Sequence, residues 1–192
     1  MRFYLFSFLV VLLFCCNNLY SQKLSFYKED LKFNIDTKYF SVDGAYYFSN
    51  SDSVKIKQII FYPFPVAKEL GNIDSVSVYD TTENKVISFS KMNDSPGISF
   101  PLLIEGYGFR KIKIHYRQQL KGNMAEYILQ TTKNWGKPLE TANYSLTVPR
   151  NLKIDSLSYI TNSIQHLGNT NIYYWIKKDF MPQKDFNIYF SY

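Results

Sequence analysis

Trp135-Gly136-Lys137-Pro138-Leu139-Glu140-Thr141-Ala142-Asn143-Tyr144-Ser145-Leu146-Thr147-Val148-Pro149 is the stretch whose pattern decides the fold. A Trp-Gly-x-Pro turn passes the backbone into a short alternating strand, with Tyr144, Leu146 and Val148 on one face, and Pro149 stops it. Proline has no N–H to give to a sheet ladder, so covalent chemistry bounds this strand at both ends. Period-two alternation recurs along the rest of the chain, while the 3.6-residue period of an amphipathic helix is nearly absent.

Outward from that strand, alternation predicts further strands over 31–35, 39–49, 55–62, 75–80, 85–91, 98–103, 110–120, 124–132, 154–160, 172–177 and 186–192. Turn residues fall between them: Asp43-Gly44, Ser49-Asn50-Ser51-Asp52, Pro63-Phe64-Pro65, Glu83-Asn84, Asp94-Ser95-Pro96-Gly97, Gly122-Asn123 and Gly168-Asn169. Residues 111–120 and 124–132 read as a hairpin, because a two-residue Gly-Asn loop suits a primed turn. On its first strand Ile112, Ile114 and Tyr116 form a buried face, opposite a row of Lys111, Lys113, His115 and Arg117. Such a basic row is more often the wet side of an antiparallel sheet than an anion-binding stripe. Aromatic residues make up 18% of the chain, and they sit in the β-rich segments where half-buried pleats favour them. The fold class predicted is all-β: a single antiparallel β-sandwich of many short strands.

The first 21 residues read differently. One charge, Arg2, precedes an apolar core over 3–14 and a short polar stretch ending at Ser21. That order is a secretory signal peptide, too short in its apolar run to span a bilayer, with cleavage near Ser21. Removing 21 of 192 residues leaves 171, enough for one domain over 22–192, and lowers the formal charge from +6 to +5. Cys15 and Cys16 both lie in the removed segment, so the mature chain holds no disulfide, thiol nucleophile or cysteine-bound metal. An alternative is lipid attachment at Cys15 or Cys16, although Phe14 occupies the position where a lipoprotein signal places a small residue. The protein is therefore expected to be secreted, periplasmic or at the cell surface.

Few residues suggest chemistry. His115 and His166 are the two histidines, neither at metal-ligand spacing, and no Gly-x-Ser-x-Gly elbow, phosphate loop or dinucleotide fingerprint occurs. Asp80 with Glu83, and Glu69 with Asp74, read as turn charges rather than paired catalytic acids. The lysines are scattered and no nucleic-acid module is present. No enzyme activity, cofactor or nucleic-acid partner is expected. Asp52-Ser53-Val54, Asp74-Ser75-Val76, Asp80-Thr81-Thr82 and Asp155-Ser156-Leu157 repeat one pattern. It resembles the O-glycosylation acceptor of secreted proteins in some Gram-negative bacteria, which makes Ser53, Ser75, Thr81 and Ser156 candidate sites; a turn leading into a strand explains it equally.

Residues 144–149, Leu157-Ser158-Tyr159, residues 174–182 and residues 185–190 follow an order that resembles the N-terminal β-sandwich of aminopeptidase-N-type metallopeptidases. It resembles equally the secreted bacterial β-sandwich domains of unknown function, and residues 44–50 with 59–64 are similar to that sandwich's opening strands. The zinc-binding catalytic domain is missing, so no catalytic residue carries over. The resemblance implies a binding or scaffolding module whose partner is a protein or another cell-envelope component, without membrane insertion. Trp135, Lys137 and Pro138 are the candidate partner-binding residues: a Trp in a turn either anchors a partner or folds back as a plug on the core, and the plug is favoured. A second class also fits. The alternating, aromatic-ended 186–192 resembles the closing strand of a small outer-membrane β-barrel, although Pro63, Pro65, Pro96 and Pro101 interrupt candidate spans.

Overall fold

The computed structural model describes residues 23–92 and 96–192. The expected signal segment with Cys15, Cys16 and Ser21, and the turn residues Asp94 and Ser95, lie outside them. The described chain is all-β. Its largest sheet has eight strands. In spatial order they are β12 (Ser163–Leu167), β13 (Thr170–Phe180), β10 (Leu139–Pro149), β1 (Leu24–Ile35), β2 (Tyr39–Asn50), β8 (Phe109–Leu120), β4 (Leu70–Asp80) and β5 (Lys85–Val86). A second sheet orders β11 (Lys153–Leu157), β14 (Phe186–Ser191) and β9 (Met124–Tyr127). The third orders β3 (Ile56–Pro63), β7 (Gly97–Ile104) and β6 (Ser90–Lys91).

One face of the large sheet carries the core. Phe33 on β1 stacks on Phe186 of β14 at 4.9 Å and tilts against Tyr127 of β9 at 5.3 Å. Tyr46 on β2 meets Tyr62 of β3 edge-on at 5.6 Å. Rings of the large sheet thus touch strands of both small sheets. Trp175 on β13 is fully buried, edge-on to Phe186, and its indole N–H donates to the Tyr159 carbonyl at 3.0 Å. Each such ring contributes about 1.5–3 kcal/mol by leaving water, so the aromatic richness of the sequence is spent mainly inside.

Several expectations need correction. The sheets are not all antiparallel: β1 and β10 pair in parallel, with Leu31 opposite Tyr144. Alternation reports which face is buried but carries no sign of strand direction, so period-two patterning cannot reveal a parallel pair. The strands are also not uniformly short, since β1, β2 and β8 each run 12 residues. The hairpin across Gly122-Asn123 does not form. β8 lies between β2 and β4, whereas β9 pairs with β14 in another sheet. A primed turn needs positive φ, and neither Gly122 nor Asn123 has it. Instead the Asn123 carbonyl accepts from Phe190 N–H at 3.0 Å, which sends the chain across to the second sheet. Residues 85–91 divide between β5 and β6 in different sheets, and β12 was not anticipated. The barrel alternative fails as well: the eight-stranded sheet is open, with β12 and β5 at its edges.

The face split of β8 is as expected, with Ile112, Ile114 and Tyr116 buried. Acids from neighbouring strands answer its basic row. Arg117 holds Asp74 of β4 through two hydrogen bonds at 2.9 and 3.0 Å, and His115 Nδ1 lies 2.8 Å from Asp43 of β2. Lys111 sits over the Tyr47 ring at 5.1 Å. No helix among the described residues is long and apolar enough to cross a membrane.

Candidate functional site

A cavity of about 660 Å³ opens between the β1–β2 part of the large sheet, strand β3 and the segment that follows β9. A bulge in β1 sets what points into it. Register slips between Phe26 and Lys28, leaving Tyr27 as the extra residue. Before the slip Leu24 and Phe26 face inward; after it Glu29, Leu31, Phe33 and Ile35 do. The bulge thus turns a carboxylate, rather than Lys28, into the interior.

Glu29 is 2% exposed and accepts a hydrogen bond from the Tyr144 hydroxyl. Burial pushes its carboxyl up to about 7; the Tyr144 hydroxyl works against that shift and nearby Asp30 adds to it. Beside it the Tyr46 hydroxyl lies 2.8 Å from both the Tyr62 and Tyr127 hydroxyls, which are themselves 3.5 Å apart. The trio joins one strand from each of the three sheets. Burial holds all three phenols well above their ordinary range, so they stay neutral donors. Gly44 makes room for this. A Cβ there would come within 2.2 Å of the Tyr46 hydroxyl, because the ring lies back along its own strand over the glycine.

Trp135 forms part of the cavity's wall, with Phe26 and Phe48 at 5.7 and 5.5 Å. It ends a short 3₁₀ helix, Gln130–Trp135, closed by Gly136 at φ 67°. Asp185 anchors the start of that helix: its Oδ1 accepts from the N–H groups of Leu129 and Gln130, each at 2.9 Å. The structure places Trp135 half-buried against the core, with Lys137 and Pro138 exposed beyond Gly136 and away from the cavity lining. Ser53 and Ser156 are exposed, Ser75 is half-buried, and the Thr81 hydroxyl donates to the Lys111 carbonyl at 2.9 Å. Asp80 and Glu83 both pair with Arg110, so they share one cation instead of flanking a cleft. No cluster of three metal-ligating side chains occurs among the described residues.

Glu29 and the tyrosine trio were missed from sequence. Two signals pointed there: the phase change from Leu24 and Phe26 to Leu31, Phe33 and Ile35, which puts Glu29 inside, and a glycine within the strand two residues before Tyr46.

A family model described as a domain of unknown function (DUF4424) matches residues 109–189, less than half of the chain. No curated protein matches. Among solved structures, one described as a "putative nutrient binding protein" from Legionella pneumophila is similar over 88% of this chain and 67% of its own, with TM-score 0.64 and 11% identity. A two-domain M1 zinc metallopeptidase, a mutant bound to L-arginine, is similar over 87% of this chain and 42% of its own, with TM-score 0.53 and 7% identity. The chain spans less than half of that peptidase's length. At such identities the likeness is one of fold, and it is the metallopeptidase resemblance expected from the second half of the sequence.

Proposed function

We propose that this protein is a secreted, non-catalytic binding domain of the bacterial cell envelope, a two-layer β-sandwich whose cavity takes a small ligand. The large sheet forms one layer and the two small sheets the other. One observation carries the ligand site: a cavity of about 660 Å³, walled by aromatic and aliphatic side chains, with a few convergent polar groups at its depth. Pockets of ~300–1,000 Å³ with that composition are the usual form of small-molecule sites. The likeness to a structure described as nutrient binding supports the same use. Secretion rests on the order of charge, apolar run and small residue over 1–21.

A neutral reporter dye, Nile red, tests the site. Saturable one-to-one binding is expected, and Ile56→Trp, which places an indole in the lining, should abolish it while leaving the fold intact. No saturable binding by the unaltered protein would sink the proposal. Cell fractionation with an alkaline carbonate wash of the membranes tests the compartment: the protein should leave with the soluble periplasmic or culture fraction. Retention in washed membranes would contradict a soluble envelope domain unless the mature N-terminus carries lipid on Cys15 or Cys16, which its mass would reveal.

A further inference from the structure

The cavity combines three features that narrow its ligand. Its sole acidic lining group is Glu29, 2% exposed, with the Tyr144 hydroxyl as its one side-chain hydrogen-bond partner among the described residues. Around it the walls are ring faces and edges, among them Phe26, Tyr46, Phe48, Tyr62 and Trp135. Phe26, Phe48 and Trp135 lean on one another at 5.2 to 5.7 Å, so they form a continuous aromatic wall.

Ring faces carry negative potential, and several rings with one carboxylate make a cage for a desolvated cation. Lys23, the one basic side chain in the lining, is already paired with Asp52, and an anionic ligand would have to sit beside Glu29. A purely apolar one would leave the carboxylate and the tyrosine trio without a new partner. We infer that the cavity binds an organic ammonium ion, a primary or alkylated amine with an apolar tail, whose charged head meets Glu29 and the tyrosines while the tail lies along Phe26, Phe48 and Trp135. This inference rests on the proposed use of the cavity as a ligand site.

A cation bound there also restores the charge that burial disfavours on Glu29. The groups facing that carboxylate are Tyr144 from β10, Tyr46 from β2, Tyr62 from β3, Tyr127 from β9 and its own neighbour Asp30. None of the four tyrosines ionises below its ordinary range, and Asp30 is already charged: burial raises its carboxyl, but Asn143, Tyr47 and Lys28 outweigh that and hold it low. Glu29 is therefore the group that titrates near neutrality. An amine stays protonated between pH 6 and 8. With Glu29 at about 7, affinity should be roughly tenfold weaker at pH 6 than at pH 8, because the carboxylate must first lose its proton.

Hexylammonium, hexanol and hexanoate share one tail and differ in charge, so competition of each against Nile red isolates the head group. At pH 8 hexylammonium should displace the dye at least tenfold more effectively than either of the others. Glu29→Gln should bring hexylammonium down to the level of hexanol and remove the pH dependence. Equal displacement by hexanol and hexylammonium, with Nile red still bound saturably, overturns the ammonium site and leaves the cavity as a neutral pocket. Loss of saturable dye binding altogether overturns both. Where Glu29→Gln fails to fold, the pH dependence of hexylammonium in the unaltered protein decides: affinity that is flat between pH 6 and 8 overturns the inference.

Discussion

Glu29 makes the native protein respond to pH in an unusual direction. Its carboxyl sits at about 7 when folded against 4.5 for an ordinary glutamate, chiefly through burial. The folded chain thus holds this proton more tightly than the unfolded one. The stability it contributes is complete below pH 4.5 and is lost as pH rises through 7, a swing of roughly 3 kcal/mol. Asp30 and Asp74 act oppositely, but their lowered values confine their effect to pH below the usual aspartate range. Thermal melts at pH 5, 6.5 and 8 should therefore show a falling midpoint, and Glu29→Gln should flatten the series. A midpoint that climbs from pH 5 to 8 in the unaltered protein would contradict the buried carboxylate. At this scale the sequence was readable where side chains obey alternation: Tyr144, Leu146, Val148, Ile112, Ile114 and Tyr116 are all buried as expected. Glu29 was not, because its inward direction depends on a single extra residue at Tyr27 that shifts the phase of β1.

Among the elements, the 3₁₀ helix that carries Trp135 is the one whose loss should be felt at the cavity. Removing a fully buried Trp to Ala costs about 3–5 kcal/mol, but this indole is half-exposed and touches two rings on one side. Trp135→Ala should accordingly cost about 2 kcal/mol, read as a shift in urea midpoint at constant slope. A midpoint unchanged from the parent would mean that the ring contributes nothing to the core and serves as a free anchor. Asp185 gives a second handle on the same element, since it accepts two backbone N–H groups at the helix start. This helix was hidden in sequence by the apparent continuation of alternation from Met124 through Thr132. Backbone hydrogen bonds to Asp185, 55 residues on, end the strand at Tyr127, and no local pattern announces a partner at that separation. The failed hairpin has the same origin. Gly122-Asn123 has the composition of a primed turn, yet β8 already pairs on both edges, so β9 has no place beside it.

For the whole molecule, the consequence of this topology is that the large sheet draws its strands from both halves of the chain: β1, β2, β4 and β5 precede residue 109, while β8, β10, β12 and β13 begin at or after it. The family match spans residues 109–189, which would suggest a separable unit. Its strands are nevertheless completed from outside it: β8 lies between β2 and β4, and β10 lies between β1 and β13. Asn143 on β10 donates to Asp30 on β1 at 2.7 Å across 113 residues of sequence. Excised, residues 109–189 would expose both edges of β8 and one edge of β10, along with the inner faces that Phe33, Phe40 and Val42 cover. The buried aromatic surface of Phe186 would lose its stack on Phe33, leaving it only Tyr144, Tyr159 and Trp175. A fragment of residues 109–189 should therefore lack a cooperative melt and show collapsed amide chemical shifts, while residues 22–192 should melt in one transition. The β2–β8 and β4–β8 pairs and the parallel β1–β10 pair join the two halves, and the last must wait for the intervening chain, so refolding of 22–192 should fall in the millisecond-to-second range of non-local β topologies. An independently folded fragment with dispersed shifts would show that the second half is a domain by itself and that β1 to β7 are an addition to it.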